Sequence, residues 1–149
     1  MLPIGVGLPD GSLCYGSEAL DRRQDWIVML KRPKVVAIVE DDPGMRVATE
    51  HLLNAHGLVT LGFASGEEFL ASSSENQVDC LLLDIVLRGM SGVELSRRLK
   101  VAGQLLPTIF MTALENEDIR QQALQEGVAC LHKPFQAAEL IDAIEKAVP

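Results

Sequence analysis

Five residues able to do chemistry stand at intervals along the 149-residue chain: Glu40, Asp41, Asp84, Thr112 and Lys133. Each closes or follows a short apolar run, at residues 35–39, 80–83, 108–111 and 128–131. If those runs are parallel strands of one sheet, the five side chains meet at the carboxyl ends, where open α/β sheets bind ligands. Three clustered carboxylates repel and raise one another's pKa unless a cation relieves them. A hard divalent ion with oxygen ligands, Mg²⁺, is the natural occupant. Beside it the Asp84 carboxylate can act as a nucleophile on phosphorus, giving an aspartyl phosphate. Phosphoryl transfer needs positioning and neutralisation of charge on the phosphoryl oxygens. Mg²⁺, Lys133 and the Thr112 hydroxyl can each answer one of those oxygens.

The elements that must position these groups are legible as a strict alternation. Strands are predicted at 35–39, 58–63, 80–83, 108–111 and 128–131, because each is short, apolar and bounded by turn residues. Helices are predicted after each of them. Asp42-Pro43 is an N-cap followed by proline at the first helical position, opening a helix to about His56 before Gly57. Ser65 to Glu68 and Ser91 to Glu94 have capping-box spacing. The second of these helices turns Leu95, Leu99 and Ala102 inward; the last, over 137–148, carries Leu140, Ile141 and Ile144 at helical spacing. A fourth helix is predicted over 117–125. Five strand–helix pairs in series predict a doubly wound α/β domain, a parallel sheet with helices on both faces.

Residues 34–149 make up that domain, and residues 1–33 precede it as an extension. The extension holds five glycines or prolines over residues 5–16 and a candidate amphipathic helix over 17–30, with Leu20, Ile27 and Leu30 on one side. Its four basic and four acidic residues cancel, so the net charge of −8 sits on the remainder. That sign argues against direct nucleic-acid binding, in which phosphate contacts dominate affinity. No apolar run is long enough to cross a bilayer and no secretory signal is visible. Cys14, Cys80 and Cys130 are odd in number and form no CxxC pair, which points to a reducing compartment, the cytoplasm by default. His51, His56 and His132 lack metal-ligand spacing and read as surface or rim residues; Asp42 reads as a cap alone.

The strings Ile38-Val39-Glu40-Asp41-Asp42, Leu81-Leu82-Leu83-Asp84, Met90-Ser91-Gly92, Met111-Thr112-Ala113 and Lys133-Pro134-Phe135 together resemble the receiver domain of two-component response regulators. Phe63 to Leu70 and Ser91 to Leu95 are similar in texture to the nitrogen-fixation type of regulator. The resemblance implies a flavodoxin-like five-stranded sheet in the order 2-1-3-4-5. It implies Asp84 as phosphoacceptor, Asp41 as a direct Mg²⁺ ligand, Glu40 acting through water, and the Val86 carbonyl completing the metal shell. It also implies Thr112 with the neighbouring Ala113 and Lys133 as the phosphoryl-binding and switch group, and Pro134 as a cis-proline candidate. The implied partners are a sensor histidine kinase or histidine phosphotransfer protein and a downstream protein. A homodimer through the fourth-helix, fifth-strand and fifth-helix face is a further candidate. No DNA-binding output segment follows Pro149, so output is expected through protein contact, phosphate relay or a domain outside this chain. Such a protein is a regulator that assists its own phosphorylation and dephosphorylation, not an enzyme on an external substrate.

Some residues depart from the family pattern. Arg88 stands where the loop after the phosphoacceptor usually has proline, predicting a more mobile and more basic loop. Cys130 occupies a switch position where many receivers carry Tyr or Phe, and a thiol cannot make the same aromatic swing. Other groups such as Phe110 are then expected to carry the switch. Val86 and Leu114 are apolar where a polar side chain could orient an attacking water, which predicts a long-lived phosphoryl state. The alternatives are a receiver-like interaction module regulated without phosphorylation, a small α/β enzyme or flavin-binding domain of the same topology, and a phosphatase using an aspartyl nucleophile. The intact five residues argue against the first. The acidic turn after the first strand, where anion binding needs free amides, argues against the second. Val86, where a second acid would stand, argues against the third.

Overall fold

Val35–Val39, Val59–Phe63, Cys80–Asp84, Thr108–Thr112 and Ala129–His132 form strands β1 to β5. In the computed structural model, which describes residues 32–74 and 77–149, they make one parallel sheet in the order β2-β1-β3-β4-β5. Helices Pro43–Ala55 (α1), Gly66–Ser72 (α2), Gly92–Val101 (α3), Glu117–Glu126 (α4) and Ala137–Ala147 (α5) alternate with the strands. Strands β3 and β4 are buried at every position, and β1 at every position after Val35. Helices cover both faces of these central strands, which is why their sequences are unbroken apolar runs.

Strand alternation sorts the core into two halves. Ala37, Val39, Leu81, Leu83 and Phe110 face one side and pack against Phe69 of α2, Leu95 and Leu99 of α3, and Ala123 of α4. Val36, Ile38, Leu82, Ile109 and Met111 face the other and meet Leu53 of α1 with Leu140 and Ile144 of α5. Neither half can form without the sheet between them. Lys34–Pro149 is one compact unit. Among the described residues no helix is long and apolar enough to cross a membrane.

Local chemistry sets where the helices begin and end. Asp42 Oδ1 accepts the Gly44 and Met45 N–H groups at 2.9 and 3.3 Å, with Pro43 opening α1. At its far end Gly57 adopts φ 84° while its N–H donates to the Asn54 carbonyl, turning the chain into β2. The two serine caps form only their first half. Ser65 and Ser91 Oγ accept the Glu68 and Glu94 N–H groups. Glu68 then accepts from Ala64 instead of the cap residue, and Glu94 pairs with Arg98. Ala102, expected inward, is instead the exposed C-cap of α3, because the helix ends there and Gly103 redirects the chain. Val128 is likewise exposed and precedes β5, and Leu58 precedes β2. The helix predicted over 17–30 and Cys14 lie outside the described residues.

One contact ties the fold to the site. Gly92 opens α3 so close to β3 that a Cβ there would overlap the Asp84 carbonyl oxygen, and its N–H donates to the Ile85 carbonyl at 3.0 Å. Gly92→Ala is therefore expected to lower stability by about 1–3 kcal/mol in a urea titration. Gly44→Ala, whose methyl meets only the Asp42 side chain at 3.4 Å, is expected to change it by less than about 1 kcal/mol.

Candidate functional site

Four strands end on one rim. β1 leads into Glu40 and Asp41, β3 closes on Asp84, β4 closes on Thr112, and Lys133 follows β5. Glu40 and Asp84 are 1% and 6% exposed, and Asp41 is half-buried. One oxygen from each of the three carboxylates lies within 4.8 Å of the others. Lys133 Nζ donates to Glu40 Oε1 at 2.6 Å and to Asp84 Oδ2 at 2.7 Å. The remaining oxygens of that pair accept backbone N–H groups: Asp84 Oδ1 from Val86 at 3.0 Å and Glu40 Oε2 from Asp42 at 3.2 Å. Lys133 is itself held by its N–H, which donates to the Thr112 carbonyl at 2.8 Å, and the Lys133–Pro134 bond is cis.

The electrostatics follow from burial against pairing. Burial pushes Glu40 above the ordinary glutamate value, and the hydrogen bond from Lys133 only partly offsets it. Burial alone would lower Lys133, yet its hydrogen bonds to Asp84 and Glu40 carry it above its ordinary value. The ammonium is therefore firmly charged, and two carboxylates, Glu40 and Asp84, share it. Carboxylate oxygens alone make a hard donor set, which fits Mg²⁺.

Not every expected group touches this cluster. Thr112 is buried at the end of β4, and its Oγ1 accepts the Leu114 N–H at 3.0 Å. That engages one lone pair and leaves the hydroxyl proton available to a new acceptor. Ala113 and Val86 are exposed on the loops that follow Thr112 and Asp84. Cys130 is half-buried on β5 beside a cleft of about 520 Å³ lined also by Thr112, Leu114, Glu117, Arg120 and His132. An aromatic ring at 130 would occupy more of that cleft than the thiol does. Phe110, by contrast, is fully buried in the core. Cys80 is sealed within β3, where burial pushes its thiol up to about 12 and keeps it protonated. The three histidines are exposed and join no ligand cluster among the described residues.

Three contacts at the site had no clear signal in the sequence. The Arg46 guanidinium donates to the Glu40 carbonyl at 2.7 Å. Glu67 Oε2 accepts the Met90 N–H at 3.1 Å, bracing the loop after β3 from α2. Arg88, noted only as an unusual residue, donates its N–H to Asp41 Oδ2 at 3.1 Å and brings its guanidinium beside the same oxygen. All three join residues far apart in the chain or couple side chain to backbone, which spacing does not reveal.

Comparison with known proteins gives a consistent picture. The family profile described as the response regulator receiver domain matches residues 36–145. Sporulation initiation phosphotransferase F of Bacillus subtilis is 34% identical over 116 residues, 76% of this chain and 93% of that protein. The DNA-binding transcriptional regulator NtrC of Salmonella typhimurium is 36% identical over 115 residues, 76% of this chain, and the match spans only 24% of that relative's length. Among solved structures, the one described as FixJ-N superposes with a TM-score of 0.71 at 30% identity, covering 77% of this chain and 93% of that one.

The pH dependence of stability carries the mark of the buried carboxylate. Because Glu40 is raised above 4.5 in the fold, its contribution is fully present below that value and is lost as pH rises through the raised one. Glu40→Gln never buries that charge. Without divalent ions it is expected to melt a few degrees above wild type at pH 7, the gap closing at pH 4; equal melting at pH 7 would show that burial does not dominate.

Proposed function

The chain belongs to the response regulator receiver domain family, and from that premise we propose that it accepts a phosphoryl group on the Asp84 carboxylate. The observation that carries this reading is the Lys133 ammonium held between Glu40 and Asp84 on a rim that Asp41 completes. We assign residues 34–149 as the receiver and residues 1–33 as its extension. The donor is a phosphohistidine of a sensor kinase or phosphotransfer protein, and the setting is the cytoplasm.

An oxygen of Asp84 attacks phosphorus as the phosphorus–nitrogen bond breaks, and its electron pair stays on the donor imidazole, which takes up a proton. Glu40, Asp41 and Asp84, with the Val86 carbonyl, would hold Mg²⁺, which supplies positive charge against the phosphoryl oxygens when bound. Lys133 is already beside Asp84 and neutralises a second oxygen as negative charge arrives. The Thr112 hydroxyl and the Ala113 N–H answer the remainder, and the Thr112 proton is free to do so. Thr112 lines the cleft beside Cys130, so its movement toward the phosphoryl group is what a downstream protein partner reads on the α4, β5 and α5 face. Homodimerisation through that face is an equivalent route of output. The reader of the signal is a protein, since the acidic surface does not suit nucleic acid.

Val86 and Leu114, two residues beyond Asp84 and Thr112, are apolar and offer no group to orient a hydrolytic water. The phosphoryl state is accordingly slow to decay.

Incubation with a small-molecule acyl phosphate and Mg²⁺ is expected to add the mass of one phosphoryl group to wild type and none to Asp84→Ala. A folded wild type that gains no mass, or an Asp84→Ala protein that gains as much, would sink the assignment. Lys133→Ala is expected to slow the gain by about 10²–10³-fold. Polar substitution of Val86 or Leu114 is expected to shorten the phosphoryl lifetime several-fold in a decay measurement; longer lifetimes would contradict the role given to these residues.

A further inference from the structure

Arg88 stands beside the acidic pocket without being part of its accepted machinery. Its N–H donates to Asp41 Oδ2 at 3.1 Å, and its guanidinium Nε lies 3.8 Å from the same oxygen. The Arg88 side chain is 89% exposed and that of Asp41 24% exposed, so the charge approaches the pocket from the solvent side. Backbone contacts hold the loop that carries it. Gly89 takes φ 74°, and the Met90 N–H is fastened to Glu67. The guanidinium is thus a charge placed on a braced loop, and its removal leaves the bracing contacts in place.

We propose that Arg88 is an intramolecular competitor of the divalent cation at Asp41 and lowers the magnesium affinity of the pocket. The division of cations among the three carboxylates carries this inference. Lys133 serves Glu40 and Asp84 at 2.6 and 2.7 Å, while among the described residues the cationic side chain beside Asp41 is Arg88. A metal ion brought to Asp41 must share its oxygens with the guanidinium or displace it. In either case two positive charges are set against each other on one carboxylate. The pair is exposed and long, so the penalty is moderate and weakens with salt. The inference rests on reading Glu40, Asp41 and Asp84 as a cation pocket.

Calorimetric titration of the full chain with magnesium chloride tests it, with no phosphodonor present. Arg88→Gln is expected to bind magnesium about two- to five-fold more tightly than wild type. Arg88→Lys, which keeps the charge, is expected to stay near wild type, and the gap between wild type and Arg88→Gln to narrow as sodium chloride rises. Arg98→Gln removes the same charge from an exposed pair with Glu94 on α3 and is expected to leave the affinity unchanged. Equal or weaker binding by Arg88→Gln overturns the inference, as does equal tightening by Arg98→Gln, which would reduce the effect to net charge. Wild type that binds no magnesium, or Asp41→Asn that binds like wild type, overturns the pocket reading and the inference together. Thermal melts without divalent ions, expected to coincide for wild type and Arg88→Gln, exclude loss of fold as the cause.

Discussion

The rest of the site depends on a single ammonium. Lys133 comes from the loop after the last strand and bridges carboxylates 93 and 49 residues away, at the ends of β1 and β3. Without it, two nearly sealed carboxylates would face each other, and burial would drive at least one to hold its proton. With it, Asp84 keeps a partner that is charged over the whole physiological range. The rim is nonetheless short of balance, since the ammonium answers two buried carboxylates and Asp41 meets the exposed Arg88 guanidinium at the longer distance of 3.8 Å. That residual charge is what makes the rim receptive to a divalent ion. It costs folding stability in return, as Glu40's raised pKa records.

The wiring of the sheet makes this arrangement affordable to position and hard to build piecemeal. Because β1 and β3 are neighbours and β4 and β5 continue the same edge, four strand ends open on the same side. The register places Asp84 opposite Met111 and Thr112 opposite His132, so the hydroxyl stands just beyond the carboxylate. Two apolar half-cores on opposite faces of the sheet keep the strands in that register. The chemistry is therefore presented at strand ends, with Asp84 and Thr112 as the last residues of the buried β3 and β4 and Glu40, Asp41 and Lys133 just beyond β1 and β5.

Neighbouring residues give this chain its individual character. Arg88 adds a solvent-side cation to Asp41 where a proline would add none. Cys130 lines a cleft of about 520 Å³ that Thr112 also lines. Val86 and Leu114, two residues beyond Asp84 and Thr112, are exposed apolar residues on the loops that follow them. Under the proposed function, the first would bear on how readily the pocket takes a metal, the second on how a rearrangement of Thr112 reaches the surface, and the third on how long a phosphoryl group stays. The common machinery and the individual settings thus occupy separate parts of the structure.

Much of this was legible in the chain itself. Apolar runs punctuated by caps and glycines specified five strands and five helices, because burial on both faces demands unbroken apolar strands and because caps act within a few residues. Acidic residues, a threonine and a lysine closing those runs were enough to place the site at the carboxyl rim. Local rules also misjudged details: Ala102 continues an apolar stripe but falls past the last helical turn, so it faces solvent. What only the tertiary structure decided is who pairs with whom. That Lys133 takes Glu40 and Asp84 while Asp41 receives Arg88 depends on distances between groups dozens of residues apart. A sequence lists charges in order, but electrostatic energy depends on separation in space, and folding alone sets that separation.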